Sequence, residues 1–207
     1  MHASPRSTPF PPLDQLLGGG HAPGHSVLLL DRTPQQRSVP LLVGLAAALA
    51  DAQVPVLYIH DAGAILDRRA ELLALRARGF HLVDGTPAEV VDFADKVAAE
   101  VILVEALYAL GPADDHMRAA HAHRTLFREA AVLPAQPATW LLATRPPRDT
   151  LQAVDTSVAV LPGATPDDLT LETLRSKYGP HRRVNLALAR RGPHVRLCFP
   201  TPACDAA

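Results

Sequence analysis

The chain has 207 residues, 48% of them apolar, and a formal net charge of −1. That length suits one α/β domain with a sizeable core, and the charge balance creates no global demand for nucleic acid or an anionic membrane. Two cysteines near the C-terminus make no disulfide framework, no apolar run reaches the ~18 residues of a membrane span, and the first residues carry no secretory h-region, so a reduced, cytoplasmic protein is expected.

Residues 1–12 are Pro-rich and are expected to form a flexible N-terminus. A short helical turn at 13–17 stops at Gly18-Gly19-Gly20, and the apolar run 27–30 reads as a buried strand. Residues 38–53 read as a helix that Ser38 caps, with Pro40 tolerated in its first turn. A strand at 54–59 and a helix at 65–78 follow. Next come a strand at 80–83, a helix at 87–98 with Pro at its start, and a fully apolar strand at 101–104. A long helix covers 115–133, and 139–144 is another buried strand. Strands alternating with helices imply a parallel sheet covered on both faces. After Ser157 the pattern changes. Strands at 158–161, 169–175, 184–189 and 195–199 follow one another without helices, and Arg190-Arg191-Gly192-Pro193 reads as a hairpin turn. The expected fold is therefore α/β, mainly parallel, with an antiparallel C-terminal extension. One domain spans 13–199, followed by a tail at 200–207.

The segment between the first strand and its helix reads Asp31-Arg32-Thr33-Pro34-Gln35-Gln36-Arg37-Ser38. A phosphate-binding loop in that place reads G-x-x-x-x-G-K-[ST]. Asp31 and Gln36 replace the glycines whose backbone freedom aims successive N–H groups at phosphate. Pro34 removes one N–H, and Arg37 replaces the compact lysine ammonium with a broad fork. Only Ser38 fits. Arg32 and Arg37 flank the place where phosphate would sit, and internal pairing of Arg37 with Asp31 or Glu105 is the plainer reading of that arginine.

The order of these blocks resembles the RecA family of recombinases and the wider RecA-like group, including KaiC-type proteins. Leu13-Asp14-Gln15-Leu16-Leu17-Gly18-Gly19-Gly20 with Pro23-Gly24 is similar to that family's approach to its P-loop strand. Val101-Ile102-Leu103-Val104-Glu105-Ala106-Leu107 is similar to its Walker B strand. Asp115-His116-Met117 resembles the segment after its first DNA-binding loop, and residues 139–145 resemble the strand ending in its nucleotide sensor. Arg175-Ser176-Lys177 with Gly179-Pro180 resembles its late strand and turn. The resemblance covers residues 10–199 and implies a RecA-like core.

Against that pattern four nucleotide elements are altered together. The loop is degenerate. The catalytic glutamate after the second strand is replaced by His60-Asp61-Ala62-Gly63, with Asp61 a shifted substitute. The Walker B acid is Glu105, and Arg145 stands at the sensor glutamine. Arg37, Ser38 and Glu105 are therefore expected to form a vestigial nucleotide site, with no catalytic residue, no metal and no cofactor; ATP and Mg²⁺ belong only to the alternative of a divergent ATPase. Both DNA-binding loops look shortened, to 111–114 and to the stretch 145–150 that carries Arg145 and Arg148.

From Arg175 to Arg196 seven basic residues occur without one Asp or Glu. Such a patch binds phosphates or an acidic protein surface. With Arg145 and Arg148, the residues Arg175, Lys177, Arg182, Arg183, Arg190 and Arg191 form the expected DNA or partner surface. His116, His121 and His123 do not converge as zinc ligands need to, and Trp140 reads as core. The resemblance implies a non-hydrolysing accessory protein in DNA repair, recombination or damage-induced translesion mutagenesis, of the ImuA type. DNA, RecA or a polymerase subunit would be its partner, and a homo-oligomer is compatible with it. The alternatives are the divergent ATPase and a KaiC-like regulatory or oligomerisation protein.

Overall fold

The computed structural model describes residues 5–33, 38–60, 81–83, 86–105, 116–143, 146–191 and 194–198. The helix expected at 65–78 lies outside them. Among the described residues nine strands form one sheet: β1 (Ser26–Asp31), β2 (Val56–Ile59), β3 (His81–Val83), β4 (Val101–Val104), β5 (Ala138–Ala143), β6 (Thr156–Pro162), β7 (Asp168–Ser176), β8 (Arg183–Arg191) and β9 (His194–Cys198). Their order is β3-β2-β4-β5-β1-β6-β7-β8-β9. The first six pair in parallel, and β6-β7-β8-β9 pair antiparallel. The fold is thus the expected α/β class with its C-terminal extension.

The continuous apolar runs have a direct cause. Strand side chains alternate between faces, so a strand covered on both sides needs apolar residues at every position. Val27, Leu29, Val101, Leu103, Trp140 and Leu142 enter one core, under α1 (Pro11–Leu17) and α2 (Ser38–Asp51). Leu28, Leu30, Ile102, Val104, Leu141 and Ala143 enter the other, under α3 (Pro87–Lys96) and α4 (His116–Ala131). Trp140 is fully buried, as read, and its indole Nε1 donates to His21 Nε2 at 2.8 Å.

Some boundaries move for identifiable reasons. Helix α2 stops at Asp51 because Gln53 takes the left-handed conformation, with φ 58. Thr86 and Glu89 close a capping box at the start of α3. Residues 5–10 make contacts with the fold. Arg6 and His21 exchange backbone bonds at 2.7 and 2.8 Å, Thr8 N–H donates to Asp14 Oδ1 at 2.7 Å, and Thr8 and Phe10 are buried. One correction concerns 148–150, read as part of a shortened loop at 145–150. Residues Arg148–Ala153 form α5, which places Thr150 in the core and Arg148 at an exposed helix start.

Candidate functional site: the carboxyl ends of the parallel strands

Strand parity decides what meets at the top of the sheet. Asp31 follows Val27 and Leu29 on the α2 face of β1, and Glu105 follows Val101 and Leu103 on the same face beyond β4. His60 follows Val56 and Tyr58 on that face beyond β2. Only β5 separates β1 from β4, so Asp31 and Glu105 are two strand spacings apart across the sheet, about 10 Å, with Asp31 two residues farther along by register. Three polar residues, all buried, therefore stand at one edge beside the N-terminus of α2.

Asp31 is the centre of this edge. Its Oδ1 accepts from Thr33 N–H and from Thr33 Oγ1, each at 2.7 Å. Its Oδ2 accepts from Ser38 N–H at 3.2 Å and from the Ser38 hydroxyl. One carboxylate thus takes both donors of Ser38 and both donors of Thr33, where the strand leaves and the helix begins. The helix N-terminus favours negative charge, and a bonded carboxylate satisfies it as a bound anion would. Ser38 does not cap as expected: its hydroxyl donates backwards to Asp31. The sequence shows Asp31 as a lost glycine but gives no sign that its side chain would turn back onto the loop.

Glu105 is buried, and Tyr58 Oη donates to its Oε2 at 2.9 Å. Beside it, His60 is buried with no hydrogen-bond partner at Nδ1. Arg37, Asp61 and Arg145 lie outside the described residues, as does the 111–114 loop. Arg32 is exposed, and its N–H continues the β1 ladder onto Val160 O at 3.0 Å. The described residues contain no cluster of three His, Cys, Asp or Glu able to hold a metal ion. His123 is buried with Nδ1 against Thr150 Oγ1 at 2.8 Å, whereas His121 is exposed.

The basic C-terminal residues do not form one patch. Strand β7 runs downward, so Arg175 and Lys177 reach the amino ends of the parallel strands. There Arg175 donates to the carbonyls of Leu151 and Gln152 at 2.9 and 3.4 Å, capping α5. Lys177 Nζ binds Asp155 Oδ1 at 2.6 Å, and Arg182 donates to Gln15 O at 2.6 Å, at the end of α1. Strand β8 runs upward past the start of β7, so Arg190 and Arg191 stand at the opposite end, at the turn into β9. Arg183 lies between, opposite Glu172, and is exposed. Antiparallel strands separate residues that are neighbours in sequence.

No known protein family and no curated protein matches the chain. Many solved structures do. One is a DnaB-like replicative helicase, solved with its interactions with primase, at TM-score 0.69 and 12% identity, covering 95% of this chain and 64% of that one. The chain therefore spans under two thirds of that helicase's length. At this identity the likeness shows the fold: a RecA-like core, with no helix among the described residues long and apolar enough to cross a membrane.

Proposed function

We propose that the protein is a non-hydrolysing RecA-like accessory factor. Its phosphate cradle is filled by its own Asp31 side chain, and it acts by holding DNA or a protein partner rather than by turning over nucleotide. The observation that carries this reading is the bonding of Asp31 by the N–H and hydroxyl groups of Thr33 and Ser38. A triphosphate arriving there would compete with a carboxylate that is already in place and would be repelled by it. The RecA-like fold supports a role beside DNA repair, recombination or translesion polymerases of the ImuA type, with RecA or a polymerase subunit as partner. That support is by analogy of fold.

A divergent ATPase is the second reading. It is favoured by the placement of Ser38 at the start of α2 and of Glu105 beyond β4 on the same face, where a working site would need a hydroxyl and an acid. Phosphate release from ATP and Mg²⁺, measured with and without single-stranded DNA, separates the two. The accessory reading predicts background rates identical to those of Ser38→Ala. Turnover above background that Ser38→Ala abolishes would establish the ATPase.

A further inference from the structure

At the end of the sheet opposite Asp31 lies a recess of about 520 Å³ between α4 and the first residues of β1 and β6. Gly24, Ser26 and Asp155 form one wall, and His121, Arg124 and Arg128 of α4 form the other. The two arginines stand one helical turn apart, about 6 Å along the axis. Both are held weakly. Arg124 meets Asp149 at 3.3 Å and Arg128 meets its neighbour Glu129 at 3.4 Å, in exposed pairs that give up little when a better anion arrives. Asp155 is neutralised from within by Ser26 N–H, the Ser26 hydroxyl and Lys177. Burial pushes its carboxyl up, and these partners more than offset that, holding it below the usual range.

We propose that this recess is a groove for the sugar–phosphate backbone of single-stranded nucleic acid, gripped by Arg124 and Arg128. The proposal rests on the nucleic-acid part of the reading above. Arginine forks match phosphate oxygens in pairs, and two forks on one rigid helix fix the path of a strand without reading its bases. The volume is that of a small-ligand pocket, so a flexible strand enters a nucleotide or two at a time, whereas a convex duplex does not. The apolar lining residue Phe127 is already buried in the core, so a protein partner finds no free aromatic anchor there.

The test is fluorescence anisotropy of a labelled oligothymidylate with the full chain at several salt concentrations. The wild type is expected to bind. The Arg124→Ala/Arg128→Ala double variant should bind at least tenfold more weakly, with a salt slope smaller by about 1.4, the share of two phosphate contacts. Arg128→Glu should weaken binding further, and thermal melts confirm that each variant is folded. Binding unchanged in the groove variants but lost in Arg190→Ala/Arg191→Ala would overturn the groove and leave the nucleic-acid reading standing. A wild type that ignores the oligonucleotide but captures poly-glutamate through the same arginines would also overturn it. Neither outcome bears on the Asp31 cradle, which the ATP assay reads separately.

Discussion

A single carboxylate decides how the top of the sheet behaves. Asp31 accepts four hydrogen bonds from Thr33 and Ser38, so removing it takes away four bonds in a buried place. Asp31→Ala is expected to lower unfolding stability by about 1–3 kcal/mol, read by urea denaturation. The buried histidines make a second prediction at this scale. Burial lowers His21 to about 3, with a further push from His25. Burial lowers His25 to about 4, Asp155 partly opposing and Lys177 adding to it. His123 falls to about 4 by burial alone. The unfolded chain takes up protons near pH 6.5, and the folded chain does not. Stability is therefore full above that value and is lost as pH falls from there towards 4, by up to about 1.4 kcal/mol per unit for each histidine. Urea midpoints at pH 7.5, 6 and 5 should decline, and His123→Gln should make the decline shallower. A flat profile would mean these rings take up protons without unfolding.

Among the elements, α1 depends on its ending. Gly18 closes it at φ 83, and a Cβ there would sit 2.7 Å from the Tyr178 carbonyl oxygen. Gly18→Ala should cost about 1–3 kcal/mol by strain at the cap and should loosen α1 from the turn after β7, visible as a lower melting temperature. Most elements were legible in the sequence. The strands of the parallel core announce themselves through unbroken apolar runs, and Gly18-Gly19-Gly20 marks its turn. Helix α5 was not legible. It is six residues long, follows two prolines and carries charge, so its local pattern is that of a loop. What makes it a helix is tertiary: Thr150 docks on His123, and Arg175 caps its last carbonyls. The packing of residues 5–10 was hidden for the same reason, since Arg6 pairs with His21 across the chain.

At the scale of the whole molecule, the sheet sorts charge by strand direction. Arg175 and Lys177 go to the amino ends of the parallel strands, while Arg190 and Arg191 go to the β8–β9 turn at the other end. The sequence displays seven basic residues in a row of 22 and no hint of this division, because only the strand register separates them. It also left Arg124 and Arg128 unremarked, since the facing wall of the groove, Gly24, Ser26 and Asp155, comes from residues more than twenty positions away. The change at Asp31 was legible as a missing glycine; the bonding of its side chain by Thr33 and Ser38 was not, because that depends on where one side chain turns. The most direct test of that central claim is a calorimetric titration of the wild type and Asp31→Ala with ATP and Mg²⁺. An occupied cradle predicts no saturable heat for the wild type. Saturable binding by the wild type that Ser38→Ala removes would contradict it and make this a nucleotide-binding site in use.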